Sequence, residues 1–348
     1  MSHQYRGVGW TRQKKRYDAV VVVFVALYLS AFGTVTLLTQ PHVTIETVII
    51  RAFGSLAFVL LTLLLLIGPL ARLDRRFLPL LYNRRHLGVA TFFVALVHGI
   101  FALIQFHFLG ELNPIVSVLV SDGSFAGDGP MPFQPFGVAA LVVLFLMAAT
   151  SHDFWLANLG PALWKSLHMA VYPAYVALVA HVAFGALQSE GKAYLWPMVG
   201  AAVLAVFGTH VWAAVREAPG DRPPSLVEKN GRVRLVAVDR ITDGRAVTVT
   251  LGRERVAVFR NGTQISCVSN VCRHQMGPLG EGRIIDGCIT CPWHGYQYDP
   301  VTGCSPPPFT ERIETWNVTV EEGYVWADPE PNPLGTPAEV GTVPEAGS

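Results

Sequence analysis

Two hydrophobic patterns divide the chain. Between residues 17 and 216, long apolar runs alternate with short polar stretches. A bilayer core asks for about 20 apolar residues per helix. The runs predict six such spans, at roughly 18–39, 47–70, 87–108, 136–151, 164–187 and 194–216. The first has a basic flank but no small-residue cleavage motif after it, so it reads as a span rather than a signal peptide. From residue 232 the runs shorten and alternate, as in Val233–Val238, Ala246–Leu251, Val256–Phe259 and Trp316–Val320. Turn pairs such as Asp243-Gly244 and Asn261-Gly262 separate them, which predicts a small antiparallel all-β domain. Together these predict a multidomain membrane protein: a six-helix transmembrane α-bundle over 17–216, then a small all-β domain over 232–328. Residues 217–231, with four prolines and glycines between 219 and 224, read as a linker. Residues 1–16 form a basic N-terminal tail, and 329–348, rich in Pro, Gly, Ala and Glu, are expected to be a disordered tail.

Composition agrees with the membrane half. Only 15% of residues are charged, 51% are hydrophobic, and mean hydropathy is +0.39. A net charge of +1 gives no electrostatic footprint for a nucleic acid. Basic residues are unevenly shared between the two ends of the spans. One side carries Arg6, Arg12, Lys14, Lys15 and Arg16, then Arg72, Arg75, Arg76, Arg84 and Arg85, then Lys165; the other has Arg51 and Lys192. The basic side is expected to be cytoplasmic. Six spans would return the β domain to that side of the cell (inner) membrane.

Histidines within the spans are the candidate chemistry, because a polar ring in lipid is costly and is retained for function or for a partner helix. His98 lies 11 residues into the third run. His168 and His181 share the fifth, about 20 Å apart along an ideal helix and about 140° apart around it. Pro173, between them, can bend or rephase that helix. In depth His98 matches His181, and His86 matches His168. His107 and His152 read as interfacial. Arg51 is placed either to pair with an acidic cofactor group or to snorkel.

The segment Arg84-Arg85-His86-Leu87-Gly88, with the apolar run to His98, resembles the third span of the ferric reductase-like transmembrane superfamily. Trp164-Lys165-Ser166-Leu167-His168, with Tyr172 and His181, resembles its fifth. The likeness is greatest to the haem-binding membrane subunits of bacterial methionine sulfoxide reductase systems. It implies a b-type cytochrome with one or two haems, with His98, His168 and His181 at haem-ligand positions and His86 and Arg51 as further candidates. NADPH oxidases in this superfamily have a second histidine in the third span; here only His86 and His107 are available, at other spacings.

All five cysteines fall between Cys267 and Cys304, which points to a local metal site. Cys272-Arg273-His274 is followed, sixteen residues later, by Cys291-Pro292-Trp293-His294. Zinc also takes Cys₂His₂ sets, but zinc fingers group Cys with Cys and His with His, whereas each loop here supplies one of each. Cys272-Arg-His-Gln-Met-Gly-Pro-Leu and Cys291-Pro-Trp-His-Gly, with Tyr298-Asp299 and Thr302-Gly303, resemble the Rieske ferredoxin family. That likeness implies a [2Fe–2S] cluster on Cys272, His274, Cys291 and His294. Respiratory Rieske proteins carry an extra disulfide between the two loops. Gly277 and Trp293 stand at those positions, which implies the lower-potential ferredoxin and dioxygenase type.

The expected function is a transmembrane electron-transfer oxidoreductase. Electrons would pass from a cytoplasmic donor, a ferredoxin or flavin reductase, through the cluster and b-type haem to an acceptor on the outer face. No Gly-rich dinucleotide fingerprint follows a strand, so the donor is external. A quinol-linked cytochrome with reverse flow and a haem-free membrane anchor for a Rieske carrier are the alternatives. A Rieske oxygenase would need a further two-His, one-carboxylate iron site, which the residues after the cluster do not supply.

Overall fold

The computed structural model describes residues 12–81, 84–108, 110–120, 132–189, 193–217, 228–293 and 295–343. Arg6, Lys192, most of the linker and His294 lie outside them. The chain divides into a helical unit and a β-rich unit.

The helices are α1 (Arg12–Thr39), α2 (Ile45–Leu73), α3 (Leu78–Leu81), α4 (Arg84–His107), α5 (Pro114–Val120), α6 (Gln134–Ala149), α7 (Asp153–Leu159), α8 (Pro161–His168), α9 (Val171–Phe184), α10 (Ala186–Ser189) and α11 (Leu195–Glu217). Among the described residues, five stretches are long and apolar enough to cross a bilayer: Lys14–Thr39, Ile45–Leu73, Arg84–His107, Ala162–Phe184 and Leu195–Glu217. The expected sixth span is α6, which has only 16 residues. At 1.5 Å per residue that is about 24 Å, short of a hydrocarbon core of about 30 Å. The six-span count is therefore corrected to five full-length spans and one shorter apolar helix. Val20, Leu38 and Leu204 stand exposed on their helices, where lipid can cover them. A core of Leu61, Leu65, Phe92, Leu144, Tyr175 and Val206 ties α2, α4, α6, α9 and α11 together. Within it the Thr62 and Tyr175 hydroxyls pair at 3.1 Å.

The fifth span is interrupted between α8 and α9. Pro173 has no N–H to give the carbonyl of Met169, four residues back, and its ring would strike that carbonyl in a continuous helix. The break falls at Met169–Ala170, where three-residue bonds such as Ala170 N–H to Leu167 O (3.1 Å) replace the α pattern.

The β unit contains β1 (Glu228–Lys229), β2 (Arg232–Ala237), β3 (Ala246–Leu251), β4 (Glu254–Asn261), β5 (Gln264–Ser269), β6 (Arg283–Ile285), β7 (Cys288–Thr290), β8 (Gln297–Tyr298), β9 (Thr315–Trp316), β10 (Val318–Glu321), β11 (Tyr324–Ala327) and β12 (Gly341–Thr342). They form antiparallel sheets in the orders β1-β2-β11-β10, β12-β5-β4-β3 with β9 also on β5, and β6-β7-β8. Gly262, with φ +62°, supplies the left-handed residue of the β4–β5 hairpin, as the Asn-Gly pair predicts. Alternate residues of β2, Val233 and Leu235, are buried against Val256, Val258, Ile265, Trp316, Val318 and Val325.

The expected disordered tail is corrected as far as the described residues reach. Residues 330–343 are tied to the β unit. Asn332 N–H donates to Thr315 O (2.7 Å), Ala338 N–H to Val301 O (2.9 Å) and Val343 N–H to Thr263 O (2.8 Å). β12 takes the outer edge of β5 beside β9. Arg232 holds Asp328 and Glu339 together. These ties run through backbone groups satisfying a sheet edge, so they leave no hydrophobic pattern to read.

Candidate functional site

Two loops at one end of the β unit bring the cluster motif together, and they share one hydrogen-bond frame. In the first, Cys272 N–H donates to Gly277 O (2.9 Å) and Met276 N–H to Cys272 O (2.8 Å). In the second, Cys291 N–H donates to Tyr296 O (2.7 Å) and Gly295 N–H to Cys291 O (3.0 Å). Each loop thus binds its cysteine to the residues four and five places on. The fourth residue is left-handed in both, Met276 at φ +54° and Gly295 at φ +74°. The loops press together: a Cβ on Gly277 would lie 3.0 Å from Cys291 Sγ and from the Trp293 ring. That crowding is the physical reason for glycine at a position where the resemblance finds a disulfide in other proteins.

Cys272 and Cys291 are both buried. Burial pushes the Cys272 thiol up. Hydrogen bonds from the Cys291 thiol, the Tyr298 hydroxyl and the backbone N–H groups of His274 and Gln275 outweigh it and lower the thiol to about 7. A thiolate is what an iron requires. His274 stacks flat on Tyr296, with ring centres 4.9 Å apart and planes 8° apart. Tyr298 O accepts from Arg273 N–H at 3.0 Å and lies 3.4 Å from Cys272 Sγ. Among the described residues no three metal-binding side chains surround one point. Three further cysteines lie in the β unit. Cys267 is buried in β5, which pushes its thiol up, and burial followed by Asp299 and Asp286 does the same to half-buried Cys288. Cys304 Sγ is 3.7 Å from Thr302 O.

In the helical unit the structure joins His98 and His181 from α4 and α9. Their ring centres are 6.1 Å apart and their planes cross at 80°. Each ring is seated in the same way. His98 Nδ1 bonds Ile50 O at 2.9 Å, and a Cβ on Gly54, four residues on, would lie 2.7 Å from that nitrogen. His181 Nδ1 bonds Phe133 O at 3.0 Å, and a Cβ on Gly137, four residues on, would lie 2.7 Å away. The carbonyl fixes the tautomer, so Nε2 carries the lone pair, and the glycine lets the ring lie against a neighbouring helix. An imidazole nitrogen bonds a first-row metal at about 2 Å and lies about 1 Å from its ring centre, so two trans imidazoles have centres about 6 Å apart. The observed pair fits that spacing. Gly54 and Gly137 were not singled out from sequence; each lies four residues after the carbonyl that orients a histidine.

The other predicted histidines lie apart from this pair. His168 stacks on Trp164, with ring centres at 3.7 Å, and bonds its carbonyl through Nδ1 (2.9 Å), while its Nε2 is buried without a hydrogen bond. His86 Nδ1 pairs with Asp18 at 2.9 Å. His107, the last residue of α4, is buried and bonded to Ser117 Oγ at 2.9 Å. His152 accepts from Phe154 N–H at 3.2 Å at the start of α7. Arg51 donates to Gln40 at 3.1 Å, one residue from the carbonyl that holds His98. His210 of α11 was missed from sequence; its Nε2 bonds the Tyr172 hydroxyl at 3.0 Å.

Comparison with known proteins accounts for both halves. Residues 53–179 match the ferric reductase like transmembrane component and residues 231–317 the Rieske [2Fe–2S] domain. The chain is an oxidoreductase of the membrane electron-transfer class. It is a ferric reductase-like transmembrane domain fused to a Rieske domain, and its β unit belongs to the Rieske [2Fe–2S] family. The anthranilate 1,2-dioxygenase ferredoxin subunit of Burkholderia cepacia is 32% identical over 92 residues, 26% of this chain and 85% of that protein. Cholesterol 7-desaturase nvd 1 of Ciona intestinalis is 35% identical over 106 residues, 30% of this chain but only 22% of the desaturase. Among solved structures, the Sphingomonas yanoikuyae B1 ferredoxin is 31% identical, over 28% of this chain and 97% of its own, with a TM-score of 0.26. The Rieske domain supports a [2Fe–2S] cluster here.

Proposed function

We propose that this protein carries electrons between a Rieske cluster on Cys272, His274, Cys291 and His294 and a b-type haem on His98 and His181, from a cytoplasmic donor to an acceptor on the outer face. The observation that carries it is the matched seating of His98 and His181, whose ring centres lie 6.1 Å apart with each Nδ1 on a backbone carbonyl; these two side chains would hold the haem. Haem supplies a one-electron carrier at that depth. The protein's own part is to hold both imidazoles in the ligating tautomer and to exclude water with α2, α4, α6 and α9. Arg51 is positioned to offset an acidic substituent of the macrocycle. His168, with a buried and unbonded Nε2, is the candidate ligand for a second carrier towards the basic end. The relatives include a ferredoxin subunit of a dioxygenase, which supports an external redox partner of the reductase or oxygenase type, such as a flavin reductase or a ferredoxin.

The test is a dithionite-reduced minus oxidised spectrum of the purified protein. Haem b bands lost in His98→Ala and in His181→Ala, with the Rieske EPR signal kept, are the expected result. A normal Rieske signal with no haem in the wild type would leave only the anchor reading. Direction is tested in vesicles: donor added on the Rieske side should reduce the haem, and reduction only by quinol would reverse the assignment.

A further inference from the structure

Gln105 lies seven residues beyond His98 on α4. That is two turns further on, within about 20° of the same face and about 10 Å away, towards the end of the bundle remote from Arg84. Its Nε2 donates to the Thr47 hydroxyl of α2 at 3.0 Å, while its Oε1 is buried without a hydrogen bond. A buried amide atom left unbonded is costly to the fold and points to a partner. Thr47 can donate as readily as it accepts, so turning the amide over keeps that bond. The turned amide presents N–H groups where the unbonded oxygen stood. The partner it suits is then an acceptor.

Its surroundings favour a charged one. Gly54 meets His98 while Thr47 meets Gln105, so α2 and α4 run antiparallel past each other. Arg51 lies between those two levels. Side chains lean towards the N-terminus of their helix, so Arg51 leans from the His98 level towards Gln105, and Gln105 leans back towards His98. Arg51 donates to Gln40 at 3.1 Å, and a guanidinium has five N–H donors, enough for a second acceptor. The pattern repeats on the other side of the pair. Ile50-Arg51-Ala52-Phe53-Gly54 and Phe133-Gln134-Pro135-Phe136-Gly137 each give a carbonyl that holds a ring, then a polar residue, then the glycine the ring rests on. A b-type haem carries its two carboxylates on one edge. Resting on the haem reading above, we propose that Gln105, together with Arg51, binds a haem propionate. The amide donates to the carboxylate and the guanidinium balances its charge, which turns the acidic edge of the macrocycle away from the Arg84 end.

The test uses the full chain, made in haem-deficient cells and purified in detergent. It is titrated with haem b and with haem dimethyl ester, whose carboxylates are capped, and the Soret band reads binding. Wild type should prefer haem to the ester by about thirtyfold or more, as charge-assisted hydrogen bonds require. In Gln105→Met, of similar length and without donors, that preference should fall about tenfold. In Gln105→Glu, which sets two carboxylates face to face, it should fall further. All three proteins should bind the ester alike, which shows that the histidine pair is intact. A preference unchanged in Gln105→Met and in Gln105→Glu overturns the proposal, leaves the haem reading standing and marks water as the partner of the amide. Equal affinity of wild type for the two compounds overturns it as well. A wild type that binds neither compound sinks the haem reading and this proposal with it.

Discussion

Replacing Tyr298 by Phe isolates one hydrogen bond to the Cys272 sulfur, a proposed ligand of the cluster. The hydroxyl is buried, accepts from Arg273 N–H at 3.0 Å and lies 3.4 Å from Cys272 Sγ. Burial and then the neighbouring Cys272 sulfur hold its phenol well above the usual range, so it stays a protonated donor. With its oxygen occupied by Arg273, its hydrogen points to sulfur. A hydrogen bond to a charged group is worth about 1.5–3 kcal/mol. Reduction adds one electron, shared across the cluster, so roughly half of that value should distinguish the reduced from the oxidised state. For one electron 59 mV corresponds to about 1.4 kcal/mol, which predicts a potential about 30–60 mV lower in Tyr298→Phe. The assay is an EPR-monitored redox titration of the full chain in detergent. A fully loaded variant whose potential stays within about 10 mV of wild type would refute the hydrogen-bond assignment.

Three other perturbations follow from the geometry. Gly54→Ala and Gly137→Ala each drive a Cβ to 2.7 Å from a histidine ring, so each should lower haem content severalfold in absorbance spectra, whereas Gly200→Ala, with open space around it, should leave the spectrum alone. Met276→Gly relieves a left-handed non-glycine residue and should make the cluster more heat-resistant by about 1 kcal/mol, with Gly295→Ala less so by a similar amount, read from thermal bleaching of the cluster. Deleting residues 329–348 removes several backbone hydrogen bonds and bares the β5 edge, a loss of about 2 kcal/mol or roughly 10 °C in the bleaching midpoint; an unchanged midpoint would mean that the segment contributes nothing.

What the sequence revealed was set by how local each signal is. The cluster loops were legible because a Cys and a His lie two or three residues apart in each. The pairing of His98 with His181 was legible from depth alone, since helix rise converts residue number into position across a membrane. The seating of those rings was hidden. It depends on Gly54 and Gly137, which look like ordinary glycines in apolar helices until another helix is laid on them. Asp18 with His86 was hidden for the same reason, being a contact between distant segments. The interruption between His168 and His181 was anticipated through Pro173, and it falls at Met169–Ala170 because a proline disturbs the carbonyl four residues behind it. Residues 330–343 were misread because a strand added through its backbone needs no apolar alternation.

The shared frame of the two cluster loops bears on speed as well as on binding. Both cysteines are clamped at N–H and carbonyl by their own loops, four and five residues on, and the loops abut at Gly277. Atoms so held have little room to shift when an electron arrives or leaves. The surroundings are already arranged for both oxidation states, so little of the driving force is spent on rearrangement. Transfer through this domain should then be governed by distance and potential difference, and it should tolerate donors and acceptors of quite different shape.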